Sequence, residues 1–225
     1  MKSKEWMNNI KELKSIISKA REESEKRNFT QAVELILTLK DIDLKKGFSL
    51  NENVNLPHTP TKKPKVCIIA TGDLGLKAKN AGVDRVIEPE ELARIGSNKR
   101  EAKKLADEYD IFLAETSYMT NVGKALGQFL GPRGKMATPV QFNAPIDSIL
   151  SKARSTIKAR LRKQLMLGCK IGYEDMSDDQ LAENAMAVIN AVESKLPNGD
   201  KNIRDVIVKF TMGKPIKLSM LVKVA

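Results

Sequence analysis

Two glycine-bearing segments stand where phosphate chemistry would be sought. Thr71-Gly72-Asp73-Leu74-Gly75 follows an apolar run and precedes a helical pattern, the place where a dinucleotide fold sets its phosphate loop. The GxGxxG fingerprint needs three glycines and no GxxxxGK followed by Ser or Thr occurs, so the spacing weighs against nucleotide binding. Gly127 to Lys135 reads Gly-Gln-Phe-Leu-Gly-Pro-Arg-Gly-Lys, a glycine-rich basic loop whose N–H groups and two cations, Arg133 and Lys135, suit a phosphate. A structural turn is the equal alternative. Acid–base and nucleophilic chemistry find little support. The single histidine, His58, lies in the turn Leu56-Pro57-His58-Thr59-Pro60 and reads as a solvated surface residue, and no Ser/His/Asp set or carboxylate pair stands out. Cys67 and Cys169 are far apart, each in an apolar run, and read as buried hydrophobes rather than a redox pair or disulfide. No Cys/His cluster offers a transition-metal site, and no cofactor is expected.

The elements that would carry these residues change character along the chain. Trp6, Ile10, Leu13, Ile16, Ile17 and Ala20 recur at helical spacing, predicting an amphipathic helix over about 4–26. Val33, Leu35, Leu37 and Leu39 alternate with more polar positions as a strand from an antiparallel or edge position. Residues 46–64 are rich in Gly, Asn, Pro, Thr and Lys and read as a linker. Val66-Cys67-Ile68-Ile69-Ala70 then opens β-α-β-α grammar: a strand at 83–87, a helix from Pro89 through Ala106, and a buried strand at 110–114. The last third predicts a basic helix with Lys158, Arg160, Arg162 and Lys163, and a short strand at 169–173. A helix follows, opened by a Ser177/Gln180 capping box, then a long strand with Val206, Val208 and Phe210, and a turn at Met212-Gly213-Lys214-Pro215. Neither end has enough core alone. The expectation is therefore a mixed fold of α/β and α+β parts: a split α+β domain from 1–62 and 154–225, and an inserted three-layer, Rossmann-like α/β domain over 63–153, joined by two adjacent linkers that form a hinge.

A net charge of +11 favours a polyanionic partner, nucleic acid before an acidic membrane surface. No stretch is long and apolar enough to span a bilayer and the start is not a signal peptide, so a cytoplasmic protein without a membrane partner is expected. Residues 1–65 hold 14 basic and 9 acidic side chains and 151–225 hold 14 and 8, whereas 66–150 hold 11 of each. The polyanion should dock on the ends. Aromatics make up only 4% of the chain, which disfavours a platform stacking successive bases. Phe29, at the helix-to-strand corner, is the exception: core filler or a surface ring packed on ribose and base.

Phe129-Leu130-Gly131-Pro132-Arg133-Gly134-Lys135-Met136, with Pro139 following, resembles a signature of the ribosomal protein L-one family, the first protein of the large ribosomal subunit. The likeness extends to Arg27 through Leu35, to Asp178 through Asn184, and to Thr211-Met212-Gly213, in an archaeal-like form. The linker Pro57 to Thr61 lacks the usual glycines, and Ala137 stands where a proline is common. The resemblance implies a two-domain, non-enzymatic, monomeric protein of the ribosome whose terminal domain binds large-subunit rRNA at the mobile stalk near the tRNA exit site. It further implies assistance in releasing deacylated tRNA, and repression of translation by binding its own mRNA. The RNA-contacting positions so implied are Phe29, Thr30, Gln31, Ala32, Glu34, Thr211, Met212 and Gly213, with Thr211 offering its hydroxyl to a ribose 2′-OH and Gly213 letting backbone approach the RNA. The basic segment adds Lys158 and Arg160, and Arg133 with Lys135 make a secondary contact. Two other classes are weighed. One is a small nucleotide-dependent enzyme built on the middle segment, which ligand-induced thermal stabilisation would reveal. The other is sequence-specific DNA binding, for which no recognition helix is visible.

Overall fold

The computed structural model describes the backbone of residues 2–43, 48–142, 144–161 and 164–219, and the side chains of these from residue 10 to 218. The chain divides into two compact units, Met1–Lys62 with Ser155–Ala225, and Lys63–Arg154.

In the first unit, helix α1 (Lys2–Glu22) turns Leu13, Ile16, Ile17 and Ala20 into the core. It stops short of residue 26 because the polar run from Glu22 to Asn28 has no apolar face to bury. Trp6 lies outside the described side chains. Strand β1 (Ala32–Leu39) buries Val33, Leu35, Leu37 and Leu39. It is a central strand, flanked antiparallel by β8 (Met166–Tyr173) and β9 (Ile203–Phe210). Strand β10 (Ile216–Ser219) completes the sheet in the order β10-β9-β1-β8; it begins within the stretch read only as a turn and apolar tail, of which residues 220–225 lie outside the described ones. Helix α7 (Asp178–Glu193) starts at the predicted box, with Ser177 Oγ accepting the Gln180 N–H and the Gln180 side chain accepting the Ser177 N–H. Its Leu181, Ala185, Val188, Ile189 and Val192 share one core with α1 and the inner face of the sheet.

Two expectations for this unit are corrected. The linker over 46–64 contains strand β2 (Asn51–Asn55), and the expected basic helix around Lys158 and Arg160 is strand β7 (Thr156–Arg160), its antiparallel partner. Ile157, Ala159 and Leu161 alternate inward with Lys158 and Arg160 outward, a period of two that a count of cations does not register. Arg162 and Lys163 lie outside the described residues.

The second unit has a fully parallel sheet in the order β4-β3-β5-β6, from β3 (Val66–Ile69), β4 (Arg85–Ile87), β5 (Ile111–Glu115) and β6 (Thr138–Val140). Along β3 alternate side chains serve opposite faces. Cys67 and Ile69 pack with α3 (Pro89–Ser97), α4 (Lys99–Glu108) and α5 (Met119–Arg133), whereas Val66 and Ile68 pack with α2 (Gly72–Asn80) and α6 (Ile146–Ser155). This is the three-layer α/β arrangement expected of continuous apolar strands. The single helix read from Pro89 through Ala106 is two, broken at extended Asn98, whose side chain accepts the Arg100 N–H at 3.1 Å and caps α4.

Candidate nucleic-acid interface

The corner joining α1 to β1 carries Phe29 and Thr30, and the turn joining β9 to β10 carries Thr211, Met212 and Gly213. Because β1 and β9 are antiparallel neighbours with Val33 opposite Phe210, corner and turn meet at one end of the sheet. Thr211 ties them. Its backbone N–H and its hydroxyl both donate to the Ala32 carbonyl, at 3.0 and 3.2 Å, and the hydroxyl accepts the Ala32 N–H at 3.0 Å. A hydroxyl has one proton and two lone pairs, so this one keeps a single acceptor position and no donor. The hydroxyl that the resemblance offers to a ribose could therefore only accept a further hydrogen bond.

Phe29 is 51% exposed and Met212 59%, so the ring at the corner is a surface ring and not core filler. Thr30 is exposed beside it and Ala32 is half-buried. Gln31 differs: it is 1% exposed and its amide is spent inside the protein. The amide nitrogen donates to Ser24 Oγ at 3.1 Å and to the Glu25 carbonyl at 3.2 Å, while the amide oxygen accepts the Met212 N–H at 3.1 Å. Its own carbonyl accepts the Glu174 N–H. Gln31 thus positions the corner against the turn and does not present a side chain to a ligand. At Gly213 a Cβ would lie 3.2 Å from Phe210 Cβ and 3.4 Å from Ser24 Oγ, so the missing side chain admits close packing of the turn on the segment just after α1.

Arg21 was not singled out by the sequence and holds the same knot from below. Its guanidinium lies over the Phe210 ring at 5.5 Å and donates to the carbonyls of Glu174 and Met176 and to Asp178 Oδ1. One side chain therefore links α1, β9 and the loop leading to α7. On the sheet face beyond the corner, Glu34 stands opposite Lys170 on β8 and Lys209 on β9, an alternation of sign that favours pairing across strands. Lys170 Nζ lies 2.9 Å from Tyr173 Oη and 4.6 Å from the ring centroid. Lys170, Tyr173 and Lys209 are partners that only strand register reveals.

The remaining site residues lie elsewhere. Lys158 and Arg160 are exposed on the separate β2–β7 ribbon, and desolvation lowers the pKa of Lys158 from its ordinary value. The glycine-rich basic loop is not a loop: residues 127–133 continue α5, and Gly134 at φ +71° closes the helix in the left-handed conformation that glycine adopts without strain. Arg133 is committed to Asp107 and the Phe129 carbonyl, and Lys135 to the carbonyls of Ala106 and Tyr109, so both cations secure the end of α5 within their own unit. At Thr71 the strand-to-helix junction forms as expected, but the buried Glu115 carboxylate accepts from Thr71 Oγ1 at 3.5 Å and Ser117 Oγ at 3.0 Å. An anion already fixed there opposes phosphate. His58 lies part-exposed at the surface with its Nε2 2.6 Å from Glu183 Oε2, and its backbone N–H and carbonyl are clasped by the buried Asn184 amide, which also donates to Ile171 O.

Charge is less sharply divided than the sequence segments suggested. By compact unit, 1–62 with 155–225 carry 24 basic and 17 acidic side chains, and 63–154 carry 15 and 11, since Lys63, Lys65, Lys152 and Arg154 fall on the inserted side. The first unit remains the more basic, at +7 against +4. Among the described residues no cluster of His, Cys, Asp and Glu is placed to hold a metal, and no helix is long and apolar enough to cross a membrane.

A family model described as Ribosomal protein L1p/L10e family matches residues 18–214. Curated relatives named large ribosomal subunit protein uL1 are similar over most of both chains. The one from Cenarchaeum symbiosum is 53% identical over 208 residues, covering 92% of this chain and 96% of the relative. The one from Thermofilum pendens is 46% identical over 196 residues, covering 86% of each, and that from Methanothermobacter thermautotrophicus is 42% identical over 208 residues, covering 92% and 98%.

Proposed function

Because the chain belongs to the Ribosomal protein L1p/L10e family, whose members are structural, non-enzymatic proteins of the large ribosomal subunit, we propose that its split unit binds large-subunit rRNA through the Phe29–Thr30 corner and the Thr211–Gly213 turn. The observation that carries this reading is the display of two large apolar side chains, Phe29 and Met212, on a corner whose backbone is fixed by Thr211 and Gln31. An exposed ring on a rigid support suits ribose and base stacking, which sequence-specific RNA recognition uses where bases are splayed out. Glu34, Lys170 and Lys209 extend the surface along the sheet, and Lys158 with Arg160 add phosphate contacts. The same proposal covers a place at the mobile stalk near the tRNA exit site, help in releasing deacylated tRNA, and repression of translation through the protein's own mRNA. Repression by the same corner requires that rRNA and mRNA compete for it.

The test is filter binding of full-length protein to large-subunit rRNA. Phe29→Ala should weaken binding by about 1–3 kcal/mol, the usual worth of a base stacked on an aromatic ring, with an unchanged thermal transition. A dissociation constant equal to that of the unaltered protein would overturn the assignment of the corner.

A further inference from the structure

The β2–β7 ribbon has two unlike faces. Register places Asn51 opposite Arg160, Asn53 opposite Lys158 and Asn55 opposite Thr156. Val54 and Ala159 are buried on the other face, where Glu52, the ribbon's one acidic residue, pairs with Lys195 of the segment after α7 at 3.1 Å. The outer face therefore holds amides, a hydroxyl and two cations with no carboxylate among them. Asn51, Asn53, Asn55, Lys158 and Arg160 are all exposed, and Asn55 Oδ1 accepts the Ser155 hydroxyl, which fixes the last amide.

We propose that this outer face is a second RNA-reading surface, with the asparagine strand meeting base edges and the cationic strand meeting the phosphates of the same unpaired segment. The inference rests on the RNA-binding reading above and adds to it a site of a different kind. A carboxamide presents both a donor pair and an acceptor, which is what the edge of a base requires, whereas lysine and arginine alone give charge without sequence. Alternate residues of a strand lie about 7 Å apart on one face, so Lys158 and Arg160 form a row of charge parallel to the row of amides. Paired A-form RNA hides its major-groove base edges and is read mostly by shape across its shallow minor groove, whereas unpaired bases offer their full edges, so the partner that fits is unpaired RNA in a loop or junction.

Crosslinking from defined positions tests this in the full-length protein bound to large-subunit rRNA. Cys67 and Cys169 are buried, with burial pushing both thiols up to about 12, so a thiol-directed photocrosslinker attaches selectively to Asn53→Cys or to Thr30→Cys. Both positions should crosslink, to different nucleotides. Arg160→Gln should lower the slope of log affinity against log salt concentration by about 0.7, the loss of one phosphate contact on a single strand. A crosslink from position 30 with none from position 53, or with both reaching the same nucleotides, overturns the second surface and leaves the corner standing. An Arg160→Gln slope equal to that of the unaltered protein also counts against it. Absence of crosslinks from both positions overturns the RNA-binding reading itself, and the ribbon with it.

Discussion

Replacing Thr211 by valine removes a hydroxyl while keeping the side chain's shape, and the structure divides the consequence into two parts. The first is internal. The Ala32 N–H loses its partner, whereas the Ala32 carbonyl keeps the Thr211 N–H at 3.0 Å. Both hydroxyl hydrogen bonds are lost, but only the Ala32 N–H is left without its partner at this half-buried position, a destabilisation of about 1 kcal/mol. The second part concerns RNA. The hydroxyl's free lone pair is the polar capacity that the Thr211 side chain has left for a ribose 2′-OH, and loss of that bond together with a loosened turn should weaken binding by about 1–3 kcal/mol. At 1.4 kcal/mol per factor of ten this is roughly 5-fold to 150-fold. Thr211→Ser keeps the hydroxyl and both internal bonds, so its dissociation constant should stay within about 3-fold of the unaltered protein. Urea unfolding and filter binding at one fixed ionic strength measure the two parts separately. If the valine variant loses the expected stability yet binds large-subunit rRNA as the unaltered protein does, Thr211 is only a fastener of the turn and its contact with ribose is refuted.

One further outcome follows from the network around that turn and another from the far end of β9. Gln31→Leu keeps the volume but removes the amide that joins Ser24, Glu25 and Met212, so it should weaken RNA binding at least 5-fold without touching the RNA, about 1 kcal/mol at the binding step. Unaltered binding would show that the corner holds its shape without the amide. Asp205 is buried under Thr38, Arg204 and Lys217; burial opposes its ionisation, but hydrogen bonds from Lys217 and Arg204 outweigh this and hold its carboxyl below the usual range. A depressed folded-state pKa gives stability that is present above the unfolded value near 3.9 and lost as pH falls through the folded one. Asp205→Asn should therefore lower stability at neutral pH and flatten its decline below about pH 4, as read from thermal midpoints against pH, and an unchanged acid limb would refute the linkage.

What the sequence disclosed, and what it hid, follows from the range of the interactions involved. The α7 start was legible because Ser177 and Gln180 are three residues apart and satisfy each other locally, and β3 because Val66 to Ile69 are apolar on both faces. The α/β alternation of the middle followed from such runs. Strand β7 was misread because its helical look came from closely spaced cations, while its real determinant, the inward alternation of Ile157 and Ala159, is matched only by the remote β2. Likewise β2 has one buried apolar residue, Val54, and no local pattern marks it as a strand without its partner. The helical reach of α5 through Gly127, Gly131 and Pro132 was hidden for another reason. Glycine and proline suggest a loop by propensity, but Val122, Leu126 and Leu130 bury one stripe of the helix in the core, and packing overrides propensity.

The candidate site shows the same division, because the resemblance named neighbours at one corner without separating their roles. Phe29, Thr211 and Gly213 were marked through the resemblance as an RNA surface, with hydroxyl and glycine assumed to face the ligand. In the structure the hydroxyl is largely spent on Ala32, the glycine on Phe210 and Ser24, and the neighbouring Gln31 wholly on the interior. Side chains that make a binding surface rigid must point away from it, so sequence proximity to a site cannot separate the residues that touch a ligand from those that hold them still. Of the corner and turn positions that the resemblance named, Phe29, Thr30 and Met212 are the exposed ones. A rigid corner keeps the ordering cost of these three side chains low on binding, which is why a fastener such as Gln31, out of reach of any RNA, should be felt in the affinity.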